Sequence, residues 1–589
     1  MSSQAFISNA TATTLAAVGD GYSVPRMPTA QRLAIVFTTR DQGMMVYDTT
    51  LNNLFIWNGT AWESVASAGD SSDRQVIFND NGELDGDAGL TYNRSVQQLT
   101  VGGTIDIWKG LLQDSTSTGV GTNALNTSVA GATGNTAIGF RSMYRIFTGA
   151  NNTAVGATTL GANFFAGSEN TAVGFNALLS ATGNQNTALG NLAGSGITSG
   201  GNNVAVGNTA LFSTPGNITG SNNVAVGQNS MRSVNAISGG DNVGIGQNTL
   251  RALSTGASNV GIGANAFNIL TTGNDNVGFG SAAGASITTG SNNVAIGVNA
   301  LNRTGGTGHT CSNNIAIGSS ALLSDAVISG SDNIAMGQSS MRKLTTGTYN
   351  IGIGVNTANL TTTGSNNVAI GLFAGERNIG ANDTIAIGQA ALRFNTAANN
   401  IAIGTNALNV NTAGTNNVAI GRSALAAVVT ASNNTALGYL AGNVTTASRV
   451  TAIGANALGL SISGDANTAV GYNALGTGAL TGGDNTAIGD NAGSVLSSGG
   501  TNVFIGSAAG STTTFGGSNI CIGVNARTSG AATSNELSLG SSAQYVATDG
   551  AAATYFPTAT AGAVVLGLAL GFIRINLNGT LVKIPVYGN

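Results

Sequence analysis

Charged residues are scarce in this chain of 589 residues, of which Asp, Glu, Lys and Arg make up only 7%. Typical soluble domains contain about 25%. The formal net charge is −4, and the 20 basic residues are scattered singly along the chain. Nucleic-acid binding needs Lys and Arg clustered against the phosphate backbone. The composition therefore excludes nucleic acid as a partner.

Cysteine and histidine are nearly absent. The two cysteines, Cys311 and Cys521, are far apart in the sequence, which excludes a disulfide framework and favours structural thiols. The single histidine, His309, would have to serve any His-dependent nucleophile or metal site. Its surroundings (TGGTGHTC) lack the further ligands of a metal site. We therefore expect His309 to be an exposed loop residue.

Long hydrophobic runs are also missing. The N-terminal segment MSSQAFISNATATTLAAVGDGYS has no basic start and no continuous apolar core, so it does not predict a signal peptide. The most apolar run, Ala561–Phe572, is shorter than the roughly 20 residues that span a bilayer. We expect no membrane insertion.

What the sequence has instead is a repeat with the pattern N-[VIT]-A-[VIL]-G-x-N-A-L, followed by a variable turn rich in Thr, Ser and Gly. The repeat glycine recurs 25 times between Gly121 and Gly540, about every 17.5 residues. Such units bury their apolar faces only by stacking. The sequence predicts an all-β parallel β-roll, or β-solenoid, of about 25 coils. At about 4.8 Å per coil it would be on the order of 120 Å long.

Alternation within the unit predicts which side chains share a face. Val294 and Ile296 lie two residues apart on a strand, so both are expected to point into the core. The residue between them, Ala295, would then point outward. A small apolar outward residue repeated in most copies indicates that this face is covered by a second sheet or another chain. The Ala-Leu pair after each glycine predicts a second short strand, with Leu pointing inward.

Asparagine stands four residues before the glycine in 21 of the 25 copies. Stacking would bring these amides into a hydrogen-bonded ladder that satisfies the turn backbone. We predict a structural role for this ladder. Representative members are Asn135, Asn203, Asn293, Asn367, Asn417 and Asn485.

The ends follow other rules, which predicts four regions: a β-module at 1–66, a second small β-module or linker at 67–115, the repetitive shaft at 116–541 and a C-terminal β-cap or tip at 542–589. In the first, Trp57 and Trp62 flank an Asn-Gly turn and are expected to form a stacked aromatic pair that holds the hairpin. The segment 74–104 contains Asn-Gly and Asp-Gly dipeptides that predict turns. The segment 571–589 predicts a closing hairpin around Asn578-Gly579.

No catalytic constellation is apparent. Acidic residues recur five residues before the glycine, where other copies carry Asn or Ser, so their position predicts turn chemistry; they are Asp241, Asp275, Asp332, Asp383 and Asp484. A second acidic group does not follow the spacing of a calcium loop and is also assigned to turns; it comprises Asp80, Glu83, Asp85 and Asp87. Phosphate-loop and calcium β-roll motifs are missing. We expect no enzymatic activity, cofactor or metal, and no receptor-binding residue can be named.

Two copies of the repeat, NNVAIG at 292–297 and NNIAIG at 313–318, resemble the head repeats of YadA-like trimeric autotransporter adhesins. The resemblance covers residues 121–540 and implies a left-handed parallel β-roll in which three chains associate. The family's repeat is shorter, about 14 residues, and its members carry a signal peptide, a coiled-coil stalk and a membrane anchor. These features are not seen in this sequence.

The flanks, PTAQRLAI…GMMVYDTTLNNLFIWNGTAWESV and GFIRINLNGTLVKIPVYGN, resemble modules of bacteriophage tail fibres, cyanophages in particular. That resemblance implies a homotrimer in the virion, extracellular after release by lysis. Its N-terminal region would join tail or baseplate proteins, and its C-terminal part would face a glycan or protein receptor on the host. Two alternatives stay open: a tailspike polysaccharide depolymerase with an acidic site between chains, and a bacterial surface adhesin.

Overall fold

The computed structural model describes residues 24–36, 43–51, 53–64, 73–80, 83–93, 98–101, 105–109, 116–126, 132–145, 148–161, 166–214, 217–305, 308–540, 546–547, 569–577 and 580–587. The chain divides into two compact units, Met1–Thr122 and Asn123–Asn589. Each unit is described by itself below.

The first unit begins with a small four-stranded sheet and one short helix. Strand β1 pairs parallel with β2, whereas β2, β3 and β4 pair antiparallel in sequence order. The elements are β1 (Arg26–Met27), α1 (Thr29–Leu33), β2 (Met45–Asp48), β3 (Asn53–Trp57) and β4 (Trp62–Ser64). The sequence did not predict α1, which starts directly after Pro28, whose φ of −63° suits a helix start.

The side chain of Asp48 ties this helix to the sheet. It is fully buried and pairs with Arg32 at 2.8 Å, while the Thr29 hydroxyl and the Leu51 backbone N–H also donate to it. Burial alone raises the pKa of this carboxyl, but the Arg32 and backbone hydrogen bonds outweigh burial and lower the pKa to about 2. The rings of Trp57 and Trp62 form the predicted aromatic pair, but they meet edge to face at 5.8 Å and are not stacked.

Five further strands follow in the first unit and pair antiparallel in sequence order. They are β5 (Asp73–Asp80), β6 (Glu83–Asn93), β7 (Gln98–Val101), β8 (Ile105–Lys109) and β9 (Thr118–Val120). The expected Asp-Gly turn at Asp85-Gly86 is wrong, because both residues lie inside β6, where Asp85 pairs with Phe78. The acidic residues of this segment thus lie on two paired strands.

The second unit is dominated by a parallel β-solenoid of about 26 turns, each of about 17 residues, which confirms the predicted fold class. Its strands β10–β33 are Thr136–Ile138, Thr153–Val155, Thr171–Val173, Thr187–Leu189, Val204–Val206, Val224–Val226, Val243–Ile245, Val260–Ile262, Val277–Phe279, Val294–Ile296, Ile315–Ile317, Ile334–Met336, Ile351–Ile353, Val368–Ile370, Ile385–Ile387, Ile401–Ile403, Val418–Ile420, Thr435–Leu437, Thr451–Ile453, Thr468–Val470, Thr486–Ile488, Val503–Ile505, Ile520–Ile522 and Glu536–Leu539.

Three strands follow the parallel stack. The short strand β34 (Val546–Ala547) pairs antiparallel with β33. Strands β35 (Ala569–Leu577) and β36 (Thr580–Tyr587) form an antiparallel pair in which Leu577 lies opposite Thr580. This pairing agrees with the expected C-terminal hairpin, whereas its role as a cap stays a prediction.

The structure reverses the predicted inner and outer faces of the strands. Ala295, expected outside, is completely buried, and Ile296, expected in the core, leaves 37% of its surface exposed. The same pattern of a buried central residue and two partly exposed neighbours holds in every strand from β10 to β32. Alternation alone says which residues share a face, but it does not say which face is inside.

The interior explains why the central residue is small. Opposite Ala295 lies the column of leucines that follow the repeat glycine by four residues, such as the fully buried Leu301. Where Phe267 replaces this leucine, the next coil has glycines at Gly278 and Gly284, and a Cβ there would lie 2.6 and 2.2 Å from the Phe267 ring. The narrow interior is therefore filled to its limit.

The predicted second strand is also wrong. In the Asn-Ala-Leu segment, Asn299 and Leu301 have φ values of +57° and +48°, which belong to left-handed turns. Their backbone N–H groups still bond along the stack, to Ser281 on one side and Ala321 on the other. Burial of the leucine and these hydrogen bonds offset a conformational cost of about 1–2 kcal/mol for Leu301.

His309 is buried, so the expected exposed loop histidine is wrong. The longer coil that contains it forms a parallel bridge with Ile287, which brings His309 into a column of inward-facing residues. Its Nδ1 accepts a hydrogen bond of 2.9 Å from the Ile328 backbone N–H. Burial lowers the pKa of His309 to about 4.

Candidate inter-chain surface

The strands of the solenoid present two columns of side chains to the outside. We call the first and third residues of strands β10–β32 the strand-face columns. Equivalent residues pair directly between neighbouring strands, as Val294 does with Ile315 and Ile296 with Ile317. Exposure is substantial, reaching 50% at Leu189 and 56% at Phe279. These columns are therefore continuous along the sheet rather than scattered.

Not one of the 46 positions in the strand-face columns holds Asp, Glu, Lys, Arg or His; they hold Thr, Val, Ile, Leu, Phe and Met. If each leaves roughly 50 Å² of apolar surface exposed, the columns together expose on the order of 2,000 Å². The largest apolar patch on a typical monomer is about 300–600 Å². A surface of this size, kept free of charge along the whole stack, is typical of a permanent protein–protein contact.

Charged residues lie elsewhere on each coil. The five aspartates assigned to turns all have positive φ, between +56° and +61°, in the left-handed region that Asp and Asn tolerate; they are Asp241, Asp275, Asp332, Asp383 and Asp484. Three of them accept hydrogen bonds from asparagine side chains of the preceding coil, as Asp332 does from Asn313 at 3.0 Å. This placement agrees with the turn role that their sequence position predicts.

Directly before the strand-face columns, the asparagines form a buried ladder. The Nδ2 of Asn293 donates to Asn276 Oδ1 at 3.0 Å and to the Cys311 carbonyl at 2.9 Å, and its Oδ1 accepts from the Asn314 backbone N–H. Each of the six asparagines named from the sequence is buried and donates its amide to a backbone carbonyl of the next coil; they are Asn135, Asn203, Asn293, Asn367, Asn417 and Asn485. Their contacts hold neighbouring coils in register.

At one end of the stack, a glutamate replaces the asparagine of the ladder. Glu536 occupies the asparagine position there and is almost fully buried. Its backbone N–H donates to Asn519 Oδ1, and its carboxylate accepts hydrogen bonds from the backbone N–H and hydroxyl of Ser529. The repeat pattern does not single out Glu536, although an acidic residue at the asparagine position is a visible departure from it.

The two cysteines are buried and free. Burial raises the pKa of Cys311 and of Cys521 to about 12, so both thiols are protonated and unreactive at neutral pH. Within the part of the chain that the structure describes, no three His, Cys, Asp or Glu side chains are grouped to hold a metal ion. No described helix is long and apolar enough to cross a bilayer.

The strand-face columns were assigned to the core from the sequence, so the surface itself was missed even though an inter-chain contact was expected. The signal was present: the first and third residues are never charged, whereas the central residue is small wherever Leu301 or an equivalent lies opposite it. The large central residue Phe504 has Gly493 and Gly510 at the leucine positions beside it. Sequence alone did not separate a core column from a contact column, since both are apolar.

Comparison with known proteins gives one match. No curated protein and no solved structure matches the chain. The resemblances to YadA-like adhesins and to cyanophage fibres therefore stay predictions. Residues 7–80, which include β1–β5 of the first unit, match the family described as the phage tail like trimerisation region. This match supports the conclusion that the chain is a phage tail protein of the fibre or spike type, with a trimerisation region near its N-terminus.

Proposed function

We propose that three copies of the chain form the shaft of a phage tail fibre, that the strand-face columns are the contact between the copies, and that the fibre attaches the virion to a host-surface receptor without catalysis. The observation that carries the proposal is the pair of uncharged apolar columns running along the solenoid in a chain that has a phage-tail trimerisation region. That region sets the number of copies, and the columns supply a surface for them to share.

Simple energetics favour burial of the columns. Two residues per coil with roughly 50 Å² exposed on each amount to about 2.5 kcal/mol of hydrophobic free energy per coil and chain. The free-energy cost of lost translational and rotational freedom arises once per complex, whereas the hydrophobic gain recurs in every coil. A long shaft therefore associates strongly even though each coil contributes little.

The ends suggest how the fibre is oriented. Because the trimerisation region lies near the N-terminus, we place the junction with tail or baseplate proteins there and the receptor contact further along the chain. The protein would belong to the virion and be extracellular after release.

Mass and cross-linking test the shaft. We expect a particle three times the 57.9 kDa chain mass in light scattering. A cysteine introduced by Ile353→Cys, in a strand-face column, should form cross-linked dimers and trimers with a short bismaleimide. Tyr349→Cys, on an exposed turn of the same coil, is the matched control. Native Cys311 and Cys521 should not interfere, since both are buried. A monomer, or equal cross-linking by both variants, contradicts the proposed shaft.

Attachment tests the adhesive role. Purified fibre should bind cells on which the virion grows and compete with virions for adsorption. Fibre that binds no such cells contradicts the adhesive role. Shortening of purified host polysaccharide by the fibre would contradict a role without catalysis and would favour the depolymerase.

A further inference from the structure

Basic residues concentrate on one face of the solenoid, away from the strand-face columns. At the fifth and sixth positions after the repeat glycine, the described coils contain eight Lys or Arg residues and one acidic residue, Glu376. Since only 7% of the chain is charged, these residues make this face distinctly positive. Such a face attracts anions.

A groove opens on this face between successive coils. It encloses about 240 Å³ and is lined by two arginines, Arg232 and Arg251, with Asn268 beside them and the apolar side chains of Val234 and Ile269. The two arginines occupy equivalent positions in neighbouring coils, which are about 4.8 Å apart. Val234 is 76% exposed, so its apolar surface is accessible beside the two arginines.

Neither guanidinium is neutralised within the described residues. Ion pairs such as Arg32–Asp48, Arg393–Glu376 and Arg449–Asp465 lie elsewhere in the described part of the chain. Arg232 lies 5.9 Å from the Phe212 ring, a contact that orients the guanidinium but leaves its charge uncompensated. Two adjacent uncompensated guanidiniums repel each other, and an anion between them relieves the repulsion and accepts their hydrogen bonds.

The groove also contains an acceptor without a donor. Asn268 Oδ1 is buried and has no hydrogen-bond partner in the described structure. An unpartnered asparagine oxygen also follows a single arginine by one coil at Asn359, after Arg342, where the Asn359 Nδ2 donates to Asn356 Oδ1. Asn409 Oδ1, one coil after Arg393, is unpartnered as well. Asn268 Oδ1 has almost no exposed surface, so the Asn268 side chain must turn toward the groove before this oxygen accepts a hydrogen bond from a ligand.

We propose that this groove binds an acidic sugar of a host-surface polysaccharide. The carboxylate or phosphate of the sugar lies between Arg232 and Arg251, and the apolar face of the ring packs on Val234 and Ile269. A sugar hydroxyl donates to Asn268 Oδ1 once the Asn268 side chain turns toward the groove. A second cationic position, Arg342 with Asn359 in the next coil, lies five coils away, about 24 Å along the stack. A long polymer can therefore occupy both sites at once and gain avidity. The inference rests on the proposed role of the chain as a host-attachment fibre.

Binding of defined oligosaccharides to the full-length protein tests the groove by calorimetry. The probes are a hyaluronan hexasaccharide, which carries carboxylates, its carboxyl-reduced neutral form, and a phosphomannan oligosaccharide. We expect one or both acidic probes to bind, with Kd rising at high salt, and the neutral form not to bind. Arg232→Gln and Arg251→Gln should each weaken binding at least tenfold. Arg422→Gln, which removes the same charge elsewhere on the shaft, should not.

The acidic probe that binds identifies the source of the negative charge as a uronic acid or a sugar phosphate. Binding of neither acidic probe, equal binding of the neutral form, or equal weakening by all three variants would overturn the inference. Unchanged melting temperatures of the variants exclude misfolding as the cause of weaker binding. If the fibre is trimeric and attaches to cells, yet neither groove substitution weakens oligosaccharide binding, only the proposed binding groove is refuted. If the protein is monomeric and attaches to no cells, the proposed function is refuted.

Discussion

Replacing Ile353 with aspartate tests whether the strand-face columns are buried between chains. Ile353 is the third residue of its strand, lies in the middle of the shaft and is 37% exposed in the single chain. Its stacking partners are Met336 and Ile370. Ile353→Asp introduces a carboxylate into a column that is otherwise uncharged.

The two possible environments predict very different costs. On a solvent-exposed sheet, the substitution costs about 1 kcal/mol, the span of β-propensity. In a contact between chains, burying the exposed third of Ile353 is worth roughly 1 kcal/mol, which is lost, and each desolvated carboxylate adds several kcal/mol. With three copies facing one another in one layer, the total is on the order of 10 kcal/mol or more per trimer.

Thermal melting and hydrogen exchange measure the effect. We expect Ile353→Asp to lower the melting temperature of the trimer and to increase exchange in the strands on either side of the substitution. Tyr349→Asp is the matched control. Tyr349 is 63% exposed and has a φ of +58°, at the turn position that Asp332 occupies in the preceding coil. The interface argument is refuted if both variants melt together and show the same exchange.

Three further substitutions test the interior. Gly278→Ala places a Cβ 2.6 Å from the Phe267 ring and should cost about 1–3 kcal/mol, most of which Phe267→Leu in the same chain should restore. Asn293→Ala removes the partner of buried groups and should cost about 1–3 kcal/mol or more, whereas Asn293→Thr should cost less, because Thr384 keeps the ladder hydrogen bond at 2.6 Å through its hydroxyl. Because His309 has its pKa lowered from 6.5 to about 4, the unfolded chain binds more protons between these values. Stability should therefore fall by up to about 3 kcal/mol as the pH drops from about 6.5 to about 4.

Each of these predictions has a clear contrary result. The free energies of unfolding of the Gly278→Ala, Phe267→Leu and double variants are measured with denaturant. If the losses of the two single variants simply add in the double variant, the two side chains do not compete for space. Equal stability of the two Asn293 variants shows that the ladder hydrogen bond contributes nothing. For the pH prediction, the comparison is His309→Ile, which matches the inward Ile287 of the bridged strand. An unchanged pH profile in that variant contradicts the role assigned to the buried imidazole.

Several features followed from sequence because they are local or periodic. The regular spacing of the repeat glycines predicted a solenoid, and the structure has one. The Trp57–Trp62 contact followed from two aromatic residues beside an Asn-Gly turn. By contrast, α1 is only five residues long, too short to show helical periodicity in the sequence. The Asp85-Gly86 dipeptide lies in a strand, where Asp85 pairs with Phe78, and does not form a turn. Local turn preference gives way to pairing with a neighbouring strand.

The sequence by itself determined that the chain stacks in coils, that asparagines recur at one position of each coil, and that two residues per strand share a face. Only the tertiary structure decided which face is inside, because the answer depends on the width of the coil. Leu301 and its equivalents, in a left-handed turn conformation, fill that width opposite the small residue Ala295, and the larger Phe504 is inside only where Gly493 and Gly510 replace the leucine. The tertiary structure also decided that His309 is buried, because the longer coil that contains it pairs with the preceding coil at Ile287. Periodicity encodes which residues lie together, and packing alone determines which of them meet solvent or another chain.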